Sequence, residues 1–300
     1  MSEDFKSGFV SIIGRPNVGK STLLNQLVGQ KIAIMSDKPQ TTRNKIQGVW
    51  TTESTQAVFV DTPGIHKPQH RLGEFMVETA FSALSHMDLI LYVVDTSVPW
   101  GGGEEFIVDR LRNVTTPVFI VLNKTDLVPP EAVAPFLAKL QEQHQFTQWI
   151  PISAVSGDNL DRLKQLITET LPPGPKYYPE DMVTDQPERF VMAELIREKL
   201  LHLTREEIPH SIAVVVEDVS QRSEDMVYVA GIIYVERESQ KGIIIGKKGQ
   251  LLKEVGKLAR EEIQALLGSS VYLDLRVKVK KAWRKDVATL RNFGYERSRE

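Results

Sequence analysis

The chain of 300 residues contains no cysteine. That excludes disulfides, thiolate zinc sites and thiol nucleophiles together, and it fits a reducing compartment. No apolar run approaches the ~20 residues needed to cross a bilayer. The opening MSEDFKSGFV lacks the basic-then-apolar layout of a secretory leader. Neither an internal repeat nor a low-complexity tract is present. Apolar residues make up 41% and charged residues 25% of the chain, close to the globular average, which excludes a disordered or fibrous polypeptide. The expectation is a soluble, cytoplasmic protein of about two domains.

A strong net charge is missing too, because 37 basic side chains face 39 acidic ones. The chain is no polycation, so any nucleic-acid surface must be local. Residues 1–180 carry 16 basic and 19 acidic groups, residues 181–240 carry 6 and 13, and residues 241–300 carry 15 and 7. The last block is therefore basic, which the overall balance conceals. The sharpest composition break is Leu171-Pro172-Pro173-Gly174-Pro175, which neither a helix nor a strand can continue through. It divides the chain into residues 1–171, a linker over 172–185, and residues 186–300.

Before the linker, short apolar runs alternate with helical patterns. Phe9–Ile13, Ala57–Val60, Leu89–Val94, Val118–Leu122 and Trp149–Ile152 read as strands covered on both faces. Ser21–Val28, Leu72–Ser85, Glu104–Arg112, Pro135–Gln143 and Leu160–Thr170 read as helices between them. This order predicts an α/β domain built on a mainly parallel sheet. After the linker the order becomes helix (Glu188–Leu203), strand (Ile212–Val219), strand (Met226–Val235), short helix, helix (Gln250–Leu267), strand (Val271–Lys278) and terminal helix, a smaller α+β unit.

Gly14-Arg15-Pro16-Asn17-Val18-Gly19-Lys20-Ser21 follows the first strand and opens the first helix. It matches the phosphate-cradling pattern G-x-x-x-x-G-K-[ST]. Glycines let backbone N–H groups turn onto phosphate oxygens, Lys20 reaches the outer phosphates, and the Ser21 hydroxyl can ligate Mg²⁺. Asp61-Thr62-Pro63-Gly64 ends a strand, where an aspartate can hold Mg²⁺ and the Gly64 N–H can meet a terminal phosphate. Asn123-Lys124-Thr125-Asp126 ends another. A carboxylate at Asp126 can accept from two guanine donors that adenine lacks. Lys124 can lay its stem along the purine, and Ser153-Ala154 can offer backbone N–H to guanine O6. All of these sit at strand ends, where open α/β sheets bind ligands.

Together these motifs resemble those of the translation-factor-type GTPases. Gln40-Thr41-Thr42-Arg43 narrows the resemblance to the branch that holds the Era-type and tRNA-modification GTPases. It extends over the whole chain, including Arg205-Glu206-Glu207-Ile208-Pro209-His210-Ser211. The resemblance implies GTP and GDP as ligands, Mg²⁺ held by Ser21, Asp61 and a threonine of the first loop, with Thr42 favoured over Thr41. It makes Lys20, Thr42, Gly64 and Asn17 the residues acting on the phosphates. Better-known small GTPases carry a water-orienting glutamine where this chain has Ile65, so hydrolysis must align its water by another route or be slow until a partner supplies groups. His66 is nearby, although a lone loop histidine is more often solvated. Related GTPases with asparagine at the Asn17 position hold K⁺ with it, so K⁺ stimulation is expected; a loop-supporting role for Asn17 is nearly as good a reading.

In the second domain, Gly242-Ile243-Ile244-Ile245-Gly246-Lys247-Lys248-Gly249 precedes a long amphipathic helix. The strands around it resemble a type II KH domain, whose GxxG loop clamps about four nucleotides of single strand. The expected RNA contacts are Gly246, Lys247, Lys248 and Gly249, with Lys253, Lys257 and Arg260 extending the footprint. Lys281, Arg284 and Lys285 interleave with Trp283, and an exposed ring among cations suits single strands. Trp283 can equally be a packing residue. The resemblance further implies the 3′ end of small-subunit ribosomal RNA as partner, ribosome assembly as process, a monomer, and peripheral contact with the inner membrane. The alternatives are a tRNA-modification-type GTPase, weakened by the absent cysteine, and a passive nucleotide-holding RNA-binding module.

Overall fold

The structure, a computed structural model, describes residues 5–38, 41–65, 71–82, 84, 86–112, 114–134, 137–138, 140 and 146–295. The helix expected over Pro135–Gln143 lies largely outside these residues, and Gln40 and His66 lie outside them entirely. The first domain runs β1 (Lys6–Ile13), α1 (Lys20–Val28), β2 (Ile46–Thr51), β3 (Thr55–Asp61), α2 (Arg71–Ser82), β4 (Leu89–Asp95), α3 (Gly102–Leu111), β5 (Val118–Asn123), β6 (Gln148–Pro151) and α4 (Leu160–Thr170). Its sheet has the order β2-β3-β1-β4-β5-β6. Only β2 is antiparallel to its neighbour, pairing Val49 with Val58. β3, β4 and β5 are buried along their whole length, as their unbroken apolar runs require when helices cover both faces.

β2 was not expected. Its IQGVWT run mixes polar and apolar residues, and it becomes a strand because the edge of β3 offers it a ladder. The segment 172–185 is also more than a tether. Ser7 N–H donates to Pro172 O (3.0 Å), Val49 N–H to Val183 O (2.9 Å), and the Thr184 hydroxyl to Gln47 O (2.7 Å). The fully buried Gln56 holds its middle. Its Oε1 accepts from Tyr177 N–H (2.6 Å) and Tyr178 N–H (3.0 Å), while its Nε2 donates to Tyr178 O (2.9 Å). The proline-rich stretch cannot form a helix, so its backbone groups are satisfied by strapping onto the first domain.

Beyond the strap come α5 (Glu188–Leu203), β7 (Ala213–Ser223), β8 (Met226–Val235), α6 (Glu238–Ile245), α7 (Gln250–Leu267), β9 (Ser270–Val279) and α8 (Val287–Asn292). The sheet order is β7-β8-β9, with β7 and β8 antiparallel and β8 and β9 parallel. One core gathers Ile196, Val229, Ile233, Val255, Ala259 and Ile263 from α5, α7 and the sheet. Leu72, Phe75 and Met76 of α2 pack against Trp283, Leu290 and Tyr295, so the C-terminal segment closes over the first domain.

Replacing Gln56 by Ala removes the partner of two part-buried strap N–H groups and should cost ~1–3 kcal/mol. A lowered urea midpoint for Gln56→Ala is the expected outcome; an unchanged midpoint would show that the strap carries no stability.

Candidate functional site

The turn from β1 into α1 needs glycine where it touches neighbouring segments. At Gly14 (φ +153°) a Cβ would stand 2.4 Å from Val93 O, and at Gly19 (φ +96°) 2.3 Å from Asn123 Nδ2. At Gly64 it would strike the backbone of Pro16 at 2.7 Å. The phosphate loop, the base loop and the DTPG turn are therefore in contact before any ligand is considered. Arg15 is held outside by Glu104 of α3 (2.8 Å). The cleft bounded by these loops measures about 420 Å³, within the range of small-ligand sites.

Lys20 is buried at the first turn of α1, its ammonium donating to Arg15 O (2.8 Å) and Gly14 O (3.2 Å). Burial pushes its pKa down to about 8, against the pull of Asp61. Asp61 is fully buried, and burial pushes its pKa up against Lys20, Ser21 and Thr42. Burial thus works against the charge of both groups, a cost that a polyphosphate beside Lys20 and a cation beside Asp61 offset.

Ser21, Thr42 and Asp61 converge. The Ser21 hydroxyl donates to Asp61 Oδ2 (2.7 Å) and lies 2.8 Å from Thr42 Oγ1, which is 3.3 Å from the same carboxylate oxygen. Asp61 Oδ1 is buried with no hydrogen-bond partner. Three hard oxygen donors and an orphaned carboxylate oxygen fit Mg²⁺. The Thr41 hydroxyl points elsewhere, donating to Lys38 O (2.6 Å).

At the other end, Asn123 is a brace. Its Nδ2 donates to Val18 O (2.7 Å), and its Oδ1 accepts from Ala154 N–H (2.9 Å). A guanine O6 would have to share that Ala154 donor, while Ser153 N–H is bonded to Asp158 O (3.3 Å). Asp126 is exposed at the cleft rim, where an incoming base can reach its carboxylate. Lys124, at φ 66°, is tied by its ammonium to Asp95 (2.6 Å). Burial tends to raise the Asp95 pKa, but Lys124 and Ser97 outweigh it and hold it low. Sequence reasoning missed Asp95, although its place at the carboxyl end of β4 was a signal.

Ile65 and Thr62, beside the Gly64 turn, offer no side chain to the cleft. Ile65 is buried in the core with Ile13 and Tyr92, and its N–H donates to Gly14 O (3.1 Å). Thr62 is buried with its hydroxyl on Ile12 O (2.9 Å). Both hold the turn rather than offering side chains to a ligand. Asn17, at φ 64°, donates to Asp37 O (2.7 Å) and joins the phosphate loop to the loop after α1.

That loop is gripped by the second domain. Arg43 is buried, with Nη1 on Ile212 O (2.6 Å) and Nη2 on Pro209 O (3.2 Å). Arg197 of α5, itself held by Glu194 (2.6 Å), donates to Thr41 O. Glu198 accepts from Met35 N–H (2.8 Å) and pairs with Lys31 (2.7 Å).

In the second domain Gly246 (φ +73°), Lys248 (φ 52°) and Gly249 (φ +77°) shape a tight loop between α6 and α7 that exposes Lys247 and Lys248. A Cβ at Gly246 would meet Leu251 Cβ at 2.8 Å. Lys253, Lys257 and Arg260 follow on one exposed face of α7. Trp283 corrects the stacking expectation. It is 0% exposed, donates its indole N–H to Ser211 O (2.9 Å) and lies against Tyr295, so no base can reach its ring. Arg284 is likewise engaged, by Glu236 (Nε 3.1 Å), whereas Lys281 and Lys285 are exposed.

Mg²⁺ with a non-hydrolysable guanine nucleotide should raise the unfolding temperature, and Thr42→Ala should lose most of that increment while Thr41→Ala retains it. Equal losses would contradict the Ser21–Thr42–Asp61 site.

Comparison with known proteins agrees with this geometry. Residues 9–124 match the family described as 50S ribosome-binding GTPase, and residues 207–284 match the KH domain family. Over 97% of this chain and 99% of the other, the protein is 44% identical to Era solved with MgGDPNP and nucleotides 1506–1542 of 16S ribosomal RNA, at a TM-score of 0.94. An Aquifex aeolicus Era variant bound to GDP·AlF₄⁻ gives 44% identity over the same shares, at a TM-score of 0.93. The chain belongs to the Era family of GTPases, with a P-loop GTPase domain followed by a KH domain.

Proposed function

We propose that this protein is a GTP-hydrolysing switch that binds single-stranded RNA, the 3′ region of small-subunit ribosomal RNA, during assembly of that subunit. The observation that carries the reading is the grip of the KH domain on the Thr41–Arg43 segment, through Arg197 on Thr41 O and Arg43 on Ile212 O. Thr42, between them, is a candidate Mg²⁺ ligand. The similarity to Era solved with both MgGDPNP and a 16S ribosomal RNA fragment supports the same pair of ligands here.

The roles follow from the geometry. Lys20, whose pKa burial lowers to about 8, remains protonated near neutral pH, and phosphates beside it favour that charge, so it holds them at the N-terminus of α1. Ser21, Thr42 and Asp61 would hold Mg²⁺, which would supply charge neutralisation at the phosphates. Asp126 and Asn123 select and position guanine. Ile65, buried and without a polar atom in its side chain, cannot orient a water, so intrinsic turnover is slow. Asn17 here donates Nδ2–H to the Asp37 carbonyl, and a turn of that amide would set its Oδ1 beside the carbonyl oxygen, where K⁺ could offset charge developing on the phosphates. Loss of the γ-phosphate frees Thr42, and the strain passes to the adjoining residues that the KH domain grips.

The reading takes the protein to be a monomer working in the cytoplasm. The basic block over residues 241–300 supports peripheral contact with the anionic face of the inner membrane.

Phosphate release measured in KCl and in NaCl tests the enzyme half of this reading. Wild type is expected to be faster in KCl, Asn17→Ala to lose that difference, and Lys20→Ala to fall by about 10²-fold or more in both salts. Equal wild-type rates in the two salts would remove the K⁺ role, and undiminished release by Lys20→Ala would remove the site itself.

A further inference from the structure

With Trp283 buried, the RNA-binding domain needs another ring if it holds bases by stacking. Among the described residues the strongly exposed aromatic side chains are Trp149 and Tyr177, in the GTPase domain and its strap, and Tyr272, which at 61% exposure stands alone in the second domain. Tyr272 lies on β9, one of the two edge strands of the three-stranded sheet. It lines the same groove as Lys253, Lys257 and Arg260 of α7, where the only acidic side chain is Glu254.

The ring is set in place. Tyr272 is the register partner of Tyr228 on β8, and the two rings lie nearly parallel (16°) with centroids 6.0 Å apart. Tyr228 is fixed in turn, its hydroxyl donating to Asp274 (3.1 Å) and its ring lying under the Arg222 guanidinium (4.7 Å). One side of Tyr272 is therefore backed by a neighbour while most of its surface stays open to solvent. A pre-oriented ring loses little conformational freedom when a base covers it.

Its position along the groove also matters. α7 runs away from the Gly246–Gly249 loop, and Gly256 faces Leu275, whose Cδ1 would lie 3.7 Å from a Cβ at that position. Tyr272, earlier on β9 and close to the C-terminal end of α7, stands with Arg260 at the far end of the groove. Eleven helical residues from Gly249 to Arg260 span roughly 16 Å, the scale of the four-nucleotide track of a KH loop.

We propose that Tyr272 stacks on a nucleobase of the single strand whose backbone the Gly246–Gly249 loop clamps, capping the groove at the end away from that loop. This rests on the RNA-binding reading above and adds to it the residue that fixes the strand's register. Stacking tolerates any base, so Tyr272 positions the strand, and hydrogen-bonding groups elsewhere read it.

The test is fluorescence anisotropy of the full chain, loaded with a GTP analogue, against a fluorescein-labelled RNA of the 3′-terminal small-subunit ribosomal sequence. Tyr272→Ala is expected to weaken binding by roughly 5- to 150-fold, and Tyr272→Phe to stay within about twofold because the π-face is kept. The salt dependence of Tyr272→Ala should match wild type, whereas Lys253→Ala should lower the slope by about 0.7 per lost phosphate contact. A scan of single abasic sites should find one position that weakens wild type and leaves Tyr272→Ala unaffected. Binding by Tyr272→Ala within twofold of wild type, while Lys253→Ala and Lys257→Ala are weakened, overturns the stacking role alone. If none of these variants changes affinity, RNA does not occupy this groove and the underlying reading fails.

Discussion

A guanidinium with almost no access to water holds the two halves of this protein in one arrangement. Arg43 is 1% exposed, and it is surrounded by carbonyl oxygens and the Tyr295 hydroxyl (3.3 Å) instead of a carboxylate. Burial draws its pKa below the ordinary value, the Tyr295 interaction opposes this, and nearby Arg197 adds to the loss. Its Nε has no partner, while its charged end lies 5.6 Å from the centroid of the Trp283 ring. Such a group is costly to bury and is tolerable only while Ile212 O, Pro209 O and the indole face surround it. Displacing the loop that carries it strands the charge. That makes the interface sensitive to small movements of Thr42, the neighbouring residue at the candidate metal site.

The remaining contacts fix the same loop at its two ends. Lys31 and Met35 meet Glu198, and Glu198 also pairs with Lys199 (2.7 Å), whose ammonium reaches Glu262 on α7. At the other end Asn44 donates to Gly294 O (3.2 Å). The nucleotide loop is therefore bounded by groups belonging to α5, α7 and the C-terminal segment. Because α7 also carries the basic face next to the GxxG loop, one helix touches both functions. Packed elements of this kind transmit a change by shifting between discrete arrangements.

Much of the nucleotide site was legible in the sequence because its chemistry is local. A phosphate loop needs its glycines, lysine and serine consecutively, and the strand ends carrying Asp61 and Asn123 announced themselves by buried apolar runs. What escaped was set by partners far along the chain. Arg43 and Ile212 are 169 residues apart, and nothing near Arg43 says that it will be buried. Trp283 looked like a stacking ring because its neighbours are basic, yet cover from α2, Ser211 and Tyr295 decided its role. β2 and the strap along residues 172–185 likewise exist because the edge of β3 and the buried amide of Gln56 supply their hydrogen bonds. The KH domain was readable as an order of elements, but the ring it exposes to its groove required the β8–β9 register to be seen.

The central claim is that nucleotide and RNA are linked through the Thr41–Arg43 segment, and a closed thermodynamic cycle tests it most directly. RNA affinity is measured in the GDP and GTP-analogue states, and the preference for GTP analogue over GDP is measured with and without RNA. Linkage requires the two ratios to be equal, and a coupling factor of about 5- to 150-fold is typical of such systems. The account predicts matched ratios in wild type and ratios close to one in Arg43→Met, which keeps the volume and removes the charge. Full coupling in Arg43→Met, with the chain folded and both ligands bound, would contradict it.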